Sequence, residues 1–360
     1  MFNKKNIFLT FILISFFISF AYFILESKTE NELNIYSGRK LYLIEPLINE
    51  FEKNKKIKVN IITGKSDEFI ERLKLEGNNT KADILLTTDV ARLSRAKKNN
   101  LFEKVNSDIL RKNIPKKYVS KDNDWFGLSI RARPIIFSNE RVNINELKNY
   151  EQLANKKWKN KICMRSSSNI YNQSLIAYMI LNLGEKKAED WIKNLVINFA
   201  KKPYGGDRDQ IRAIAYGQCD ITVANTYYLA NMLNSKNEKD RKAAEKVSIF
   251  WPNQDTFGTH INLSGAGIIK GSKNFKNAVI FLEFLSSKKA QEIYSKNINE
   301  YSIRKDVEPS VTVAKFGKFN ANDSKLEEIG KKIKIAIYLA SKYNLNPKKS
   351  RAFGAHFDSY

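Results

Sequence analysis

Two adjacent tyrosines, Tyr227 and Tyr228, stand where an α/β protein could bind a ligand. The segment Cys219–Ala224 before them is short and apolar, with β-branched residues, and this pattern predicts a buried strand. Asn225 and Thr226 favour helix starts, and an apolar helical pattern follows them. The doublet therefore lies at a strand-to-helix turn, the end of a strand where α/β sheets bind ligands. Two phenols there offer oxygen donors to a cation, or hydroxyl groups to an anion or sugar.

A third tyrosine, Tyr171, follows a similar pattern. Lys161–Met164 reads as a strand, and Ser168 is predicted to cap the next helix, which places Tyr171 in the first turn. A helix start with Ser168 and Asn169 as donors suits an anion. A simpler interpretation also holds for each tyrosine. The first turn could be capped and exposed, and about 0.7 Tyr-Tyr pairs arise by chance in such a composition.

The chain has two cysteines, Cys163 and Cys219, and each begins a predicted strand. They could be two buried thiols or one disulfide, which would close a loop of 57 residues and contribute about 4 kcal/mol. We predict the disulfide, because the chain has one pair of cysteines and each opens a strand that leads to one of these tyrosines. The bond would make the two strands neighbours. All three tyrosines would then crowd one wall of a cleft.

Two arginines, Arg131 and Arg133, alternate with apolar neighbours in the β-rich segment 125–137. Both therefore point to one side of a strand. Burying two guanidinium groups is costly unless they are paired or face a ligand, so the pair indicates either a site or a solvent-facing edge strand.

Composition excludes several classes of function. The net charge is +24, from 62 basic and 38 acidic residues, but the lysines are scattered and no nucleic-acid module is visible. We expect a solvated basic surface and no nucleic-acid partner. Two Cys and two His leave little for a zinc or copper site. No nucleophile elbow, P-loop or dinucleotide fingerprint is present, so we expect a protein that is not an enzyme.

The N-terminus carries an export signal. Lys4 and Lys5 precede an uncharged run from Ile7 to Leu25, as in a secretory signal peptide, and the run is also long enough for a membrane anchor. Residues 1–27 are therefore a cleaved signal or a retained anchor, and the rest is exported.

The remaining chain alternates strands and helices. A β-α-β-α-β pattern spans residues 33–99, restarts after Phe137 and ends with a strand at Phe257–Ile269 and a late helix at Leu326–Tyr343. The pattern predicts mostly parallel sheet with helices on both faces. We expect two α/β lobes around a ligand cleft, joined by crossing strands: residues 32–131 with 255–305 form the N-lobe, residues 132–254 with 306–345 form the C-lobe, and residues 346–360 form a tail.

The sequence resembles the periplasmic ferric-iron-binding proteins of ABC transporters, the FbpA/FutA type, over roughly residues 33–345. The matching segments are N-I-Y-S-G-R at 34–39, R-A-R-P-I-I-F at 131–137, I-C-M-R-S-S-S-N-I-Y-N at 162–172, D-I-T-V-A-N-T-Y-Y at 220–228 and W-P-N-Q-D-T-F-G-T-H-I-N-L-S-G at 251–265. The resemblance implies the periplasmic-binding-protein fold, a monomer, a periplasmic location and delivery to an inner-membrane ABC permease.

The resemblance also implies the site. Tyr171, Tyr227 and Tyr228 would bind Fe(III), and a synergistic anion such as carbonate would be held by Arg131 and the helix starts near Ser168, Asn169 and Asn225. The chemistry agrees, because a hard 3+ cation prefers oxygen donors and lowers the pKa of phenols near 10, so that three phenolates cancel its charge.

One position departs from the family. Many members have R-H-Y after the first strand, whereas this chain has Arg39-Lys40-Leu41-Tyr42. Leu41 cannot bind iron, Tyr42 is one residue late, and Tyr36 falls inside the strand. An anion, water or Arg131 would then fill the N-lobe side.

Three functions compete: capture of ferric iron, binding of a non-iron anion or organic acid on the same fold, and adhesion of a membrane-tethered basic protein to polyanions. A visible phenolate-to-iron absorption band would favour the first function, and salt-sensitive binding to heparin without a closed cleft would favour the third.

Overall fold

A computed structural model of the chain describes residues 31–322 and 326–345. Eight strands and thirteen α-helices lie in these two segments. The strands are β1 (Glu32–Ser37), β2 (Lys58–Thr63), β3 (Ile84–Thr88), β4 (Phe126–Ala132), β5 (Ile135–Ser138), β6 (Ile221–Val223), β7 (Val247–Phe250) and β8 (Ile261–Ile268). The first helices are α1 (Leu41–Lys55), α2 (Ser66–Glu76), α3 (Val90–Lys98), α4 (Asp108–Asn113), α5 (Ile170–Leu183) and α6 (Glu185–Ile197). The others are α7 (Asp207–Ala215), α8 (Thr226–Leu233), α9 (Glu238–Glu245), α10 (Phe275–Ser286), α11 (Lys288–Ile298), α12 (Val311–Ala314) and α13 (Leu326–Lys342).

The strands form two sheets of different construction. The first sheet has the order β2-β1-β3-β8-β4, with β1 parallel to both neighbours and β8 antiparallel to both of its own. The second sheet has the order β6-β5-β7 and is antiparallel. The mostly parallel arrangement predicted from sequence is therefore confined to β1–β3, since the later strands return by crossing between sheets.

The chain passes between the sheets at two places. The β-rich segment 125–137 is two strands, because β4 joins the first sheet and β5 the second, with Arg133 and Pro134 between them. Proline has no N–H to donate, so Pro134 suits a break in a strand. Residues 251–260 make the return passage from β7 to β8. The residue boundaries of the two predicted lobes stay a prediction.

The strand predicted at Lys161–Met164 is reduced to a bridge. Ile162 alone pairs with Phe199 and Ile221, and β6 itself covers three residues. Neither cysteine therefore lies within a strand. The predicted disulfide is nevertheless confirmed: Cys163 and Cys219 are bonded, with Cα atoms 5.7 Å apart, because the bridge at Ile162 brings the two backbones together.

Helix α13 packs against both α5 and α3. A side chain at Gly330 could not be accommodated, because a Cβ atom there would lie 2.4 Å from Oγ of Ser94. The close approach lets the late helix, which was predicted at Leu326–Tyr343, contact helices that follow strands of both halves of the chain.

Within the described residues, no helix is long and apolar enough to cross a membrane. The predicted signal or anchor at residues 1–27 and the predicted tail at 346–360 lie outside those residues.

Reduction of the disulfide should lower the free energy of unfolding by about 2–5 kcal/mol, because the bond closes a long loop in the unfolded chain. Urea unfolding of the oxidised and reduced wild-type protein measures this difference without changing any side chain. Equal midpoints would contradict the expectation, and mass spectrometry of unreduced peptides would detect two free thiols if the bond did not form in the exported protein.

Candidate metal centre

A cavity of about 410 Å³ lies beside the ends of β1 and β3 and the starts of α5, α7 and α8. Its lining includes all three tyrosines singled out from sequence, Tyr171, Tyr227 and Tyr228. Tyr42 also lines it. The other lining residues are Gly38, Arg39, Lys40, Leu43, Thr88, Gly206, Asp207, Arg208, Asp209, Arg212 and Glu300.

The tyrosine doublet occupies the first turn of α8, directly after β6 and the capping residue Asn225. The rings of Tyr227 and Tyr228 lie 4.1 Å apart between centroids at an angle of 32°. Tyr227 is only 6% exposed, and Tyr228 is half-buried. Successive helical positions differ by about 100° in direction, so neighbouring rings converge in this way only at the helix start, where the backbone is still turning.

Tyr171 lies in the first turn of α5. The side chain of Asn169, not of Ser168, caps this helix and accepts a hydrogen bond of 2.9 Å from the N–H of Tyr171. Three guanidinium groups surround the ring, with the Cζ atoms of Arg131, Arg165 and Arg133 at 4.9, 5.2 and 5.9 Å from its centroid.

These cations give the three tyrosines different acidities. Burial would raise the pKa of Tyr171, but Arg131, a hydrogen bond with Tyr227 and Arg165 outweigh it and lower that pKa below the ordinary value. Burial and the negative charge of an ionised Tyr171 raise the pKa of Tyr227 and of Tyr228. Tyr171 is therefore the phenol most ready to bind as a phenolate.

Asp207 holds this wall together, and the sequence analysis missed its role. Its carboxylate accepts from Arg133 at 3.0 Å, from Arg165 at 2.9 Å and from the N–H of Asn225 at 2.9 Å. Burial would raise its pKa, but the two guanidinium groups and the Asn225 N–H outweigh this, so the pKa of Asp207 is lowered. The charge is thus retained in a fully buried position.

The spacing of Asp207 and Gln210 in the sequence is that of a capping box at the start of α7. The box lies one residue earlier, because the carboxylate of Asp209 accepts from the N–H of Gly206 at 2.7 Å. The partners of Asp207, Arg133 and Arg165, lie 74 and 42 residues earlier in the chain, so no local pattern signals the buried ion pair. Only the two arginines of the segment 131–133 could have indicated that a buried carboxylate was needed.

Both arginines of that segment are buried, each 1% exposed, so the prediction that they face solvent is wrong, although β4 does lie at the edge of the first sheet. Arg131 donates from Nη2 to the carbonyl oxygen of Leu263 at 2.7 Å. Its Nε and Nη1 atoms are buried and have no hydrogen-bond partner within the described part of the chain. A buried guanidinium with two free donors is suited to an anion, although Arg131 lies behind the ring of Tyr171 and does not line the cavity.

The other predicted anion-binding residues are dispersed. Ser168 is exposed, bonds to Ser166 and lines a different pocket beside α3 and α13, which separates it from the tyrosines. Asn169 uses its side-chain oxygen to cap α5. Asn225 lies next to the doublet, and its buried Nδ2 has no acceptor among the described residues. Arg131 and Asn225 therefore carry the free donors.

The opposite wall is formed by the turn after β1. Arg39, which is buried, donates from both terminal nitrogens to Glu300 at 3.1 Å each and also contacts Ser264. The Tyr36 hydroxyl is turned away to Glu76 at 3.1 Å. Tyr42 lines the cavity but is 57% exposed.

Phenolates are the donor set available for a metal. Over residues 31–322 and 326–345, no three His, Cys, Asp or Glu side chains cluster closely enough to hold an ion. The residues of the cavity thus fit a hard cation bound by phenol oxygens and do not fit zinc or copper.

Asp207→Asn should lower the free energy of unfolding by about 3–5 kcal/mol, because it leaves Arg133 and Arg165 buried without a counter-charge. Asp209→Asn is the matched control on the same helix. Asp209 is partly exposed, so its loss should cost about 1 kcal/mol. Equal losses in urea unfolding would contradict the role given to Asp207.

Tyr171 should ionise first among the cavity phenols of metal-free protein, below about pH 10. Its folded pKa is lowered, so stability should rise with pH between that pKa and the unfolded value. Ultraviolet titration measures tyrosinate directly. Tyr171→Phe should remove the first step, Arg131→Gln should move it to higher pH, and Tyr216→Phe, at an exposed tyrosine, should leave it in place. An unchanged first step in Tyr171→Phe would contradict the assignment.

Comparison with known proteins identifies relatives of this chain. The family of bacterial extracellular solute-binding proteins matches residues 37–292. Iron uptake protein A1 of Synechocystis sp. is 43% identical over 301 residues, which cover 84% of each chain. The major ferric iron-binding protein of Neisseria meningitidis is 25% identical over 295 residues, 81% of this chain and 86% of that protein.

Solved structures of similar proteins point to the same relatives. The Trichodesmium IdiA/FutA protein, in complex with iron and citrate ligands, superposes with a TM-score of 0.84 at 42% identity and covers 88% of this chain and 100% of that one. The ferric binding protein of Campylobacter jejuni gives 0.84 at 41% identity, with 86% and 99% covered. The predicted α/β class and periplasmic-binding-protein fold are confirmed, and the structure builds that fold around two sheets. The chain belongs to the family of bacterial extracellular solute-binding proteins, with iron uptake and ferric iron-binding proteins among its relatives.

Proposed function

We propose that this protein captures ferric iron through the phenolates of Tyr171, Tyr227 and Tyr228 and delivers it to an ABC permease of the inner membrane. The observation that carries the proposal is the convergence of three phenols from two helix starts on one cavity. Three phenolates neutralise the 3+ charge, and ferric iron is hard enough to prefer them to sulfur or imidazole.

The three proposed ligands would differ in how readily they lose a proton. Arg131 and Arg165 favour the ionised form of Tyr171, so an entering ferric ion meets one phenol that loses its proton readily. The bound metal then lowers the pKa of the two harder phenols, Tyr227 and Tyr228. Each ligand that ionises releases a proton, which makes binding depend on pH.

A synergistic anion such as carbonate completes the proposed site. The free donors of Arg131, at Nε and Nη1, lie against the ring of Tyr171, and the free Nδ2 of Asn225 lies next to the doublet. A guanidinium with two open donors can bind an anion in a bidentate manner. Use of Arg131 would require the ring of Tyr171 to shift as it takes up the metal.

The relatives support the proposed cargo, location and partner. The iron uptake and ferric iron-binding names of the similar proteins support iron as cargo, and the citrate of one similar structure supports an accompanying anion. Membership of the extracellular solute-binding family supports a periplasmic monomer that hands its cargo to a permease and does no catalysis.

A second candidate is a binding protein for a non-iron anion or organic acid. The free donors of Arg131 favour it, because they remain an anion site with or without a metal. The two candidates differ in one property: a phenolate bound to Fe(III) absorbs visible light, and an anion bound to arginine does not.

Replacing any one of Tyr171, Tyr227 and Tyr228 with Phe should weaken iron binding by at least tenfold and reduce the visible band. Each change removes one oxygen and keeps the ring, so the fold should survive. Tyr42→Phe is the control for the opposite wall, because that phenol lines the cavity but is 57% exposed, and its loss should have a much smaller effect. Titration of metal-free protein with a ferric salt gives both readouts. Unchanged colour and affinity in Tyr227→Phe and Tyr228→Phe would refute the ligand assignment.

Acid should release the iron. Protons compete for phenolate oxygens and for the anion, so affinity should fall steadily as the pH is lowered below neutral. The band should fade in parallel with metal release in dialysis at each pH. A band that fades while the iron stays bound would show that the metal is held by other groups.

A further inference from the structure

A second pocket, of about 610 Å³, lies where the helices α3, α5 and α13 meet. Among the described residues it shares no lining residue with the metal cavity. Each helix contributes an apolar side chain to its wall: Ala91 from α3, Ile170 from α5, and Ile333 and Ile337 from α13. The volume lies within the range of pockets that bind small organic molecules. The pocket therefore has the size and the apolar surface for such a ligand.

Polar contacts hold the three helices together. Asp89, which caps α3, accepts a hydrogen bond of 2.7 Å from the hydroxyl of Ser174 on α5. Lys97 of α3 pairs with Glu327 of α13 at 3.1 Å. Helix α3 follows β3 of the first sheet, whereas α5 follows the bridge that joins Ile162 to the second sheet. A ligand in the pocket would thus contact helices from both halves of the chain.

Basic residues outnumber acidic ones in the lining of the pocket, six to two. Both lining carboxylates already have partners. Asp67 pairs with Arg92 and with Arg95 at 2.6 Å each, and Glu327 pairs with Lys97. The acidic groups of the lining are therefore used within the protein.

Two lining cations, Lys98 and Lys334, remain free. Their side chains have no ion pair or hydrogen bond within residues 31–322 and 326–345. Both are exposed, and their aliphatic stems can extend the apolar wall while the ammonium groups stay at its rim. An apolar wall with free cations at its rim fits a molecule that has an apolar body and a negatively charged end.

Charge disfavours the parts of this chain outside the described residues as occupants of the pocket. The tail at 346–360 has three basic residues and one acidic residue, and the apolar run at 7–25 follows Lys4 and Lys5. Either segment would bring further positive charge to a cationic rim. A separate anionic molecule fits the pocket better.

We propose that this pocket binds a monocarboxylic acid with an unbranched apolar chain. Lys98 and Lys334 bind the carboxylate, and the chain lies against Ala91, Ile333 and Ile337. Burial of the chain supplies affinity, and the two ammonium groups select an anion over a neutral or cationic molecule of the same shape. The site does not depend on iron, so the inference goes beyond the proposed function.

Equilibrium dialysis of the metal-free exported chain against radiolabelled decanoate tests the site. We expect one decanoate for each chain. In competition, 1-decanol and decyltrimethylammonium should bind at least tenfold more weakly than decanoate, because they have the same chain without the negative charge. Equal competition by all three molecules, or no saturable binding of decanoate, would overturn the inference. Displacement of decanoate by a synthetic peptide of residues 346–360 would also overturn it, by assigning the pocket to the tail.

The double variant Lys98→Gln, Lys334→Gln isolates the two free cations. Its affinity for decanoate should fall at least tenfold. Lys236→Gln, Lys239→Gln removes the same charge at exposed positions at the start of α9, outside the pocket, and should lower the affinity less than threefold. Equal losses in the two double variants would show a general attraction to the basic surface and contradict the site.

The apolar wall is tested by Ile337→Glu. Ile337 is exposed, so the variant should fold, but the new carboxylate would repel the ligand and its affinity for decanoate should fall at least tenfold. Ile197→Glu is the matched control, at an exposed isoleucine that ends α6 and lies outside the pocket. Wild-type affinity in Ile337→Glu would contradict the placement of the apolar chain.

Discussion

The buried carboxylate of Asp207 is the interaction on which the tyrosine wall depends. It joins Arg133 from the crossing between the sheets, Arg165 from the loop after the bridge at Ile162, and the backbone N–H that begins α8. The two arginines in turn flank the ring of Tyr171. A single buried charge therefore sets the positions of both helix starts that carry the phenols. Removing one partner from such a network would leave unpaired charges in a dry environment, so each partner helps to hold the others in place.

The same network explains how one wall can offer phenols of unequal acidity. Arg131 stands closest to Tyr171, and the doublet lies farther from the cations and next to an ionisable neighbour. The opposite wall differs, because Arg39 and Glu300 pair with each other and so offer few free groups to a metal. The cavity thus combines a ligand-rich wall with a wall that is cationic at Lys40. This asymmetry distinguishes the chain from a site in which both walls supply metal ligands.

Much of the site was predictable from sequence, and the reason lies in local pattern. The doublet after Cys219–Ala224 and Tyr171 after Met164 each follow a strand-like segment and open a helix, and helix starts after neighbouring segments meet at one edge. Hydrophobic periodicity likewise fixed β1–β3 and their helices. Long-range pairing was not predictable. The antiparallel return of β8, the break of segment 125–137 into two sheets and the partners of Asp207 depend on contacts far apart in the chain, for which no local signal exists. The sequence pointed to Ser168 as the cap of α5, because serine and asparagine are equally good capping residues. In the structure, Asn169 caps the helix.

A crystal structure of the iron-loaded protein, with an anomalous difference map recorded at the iron absorption edge, tests the central claim most directly. The account predicts one iron peak in the cavity, bonded to the phenolate oxygens of Tyr171, Tyr227 and Tyr228. An iron peak outside the cavity, or one in the cavity bonded to none of these three oxygens, would contradict it.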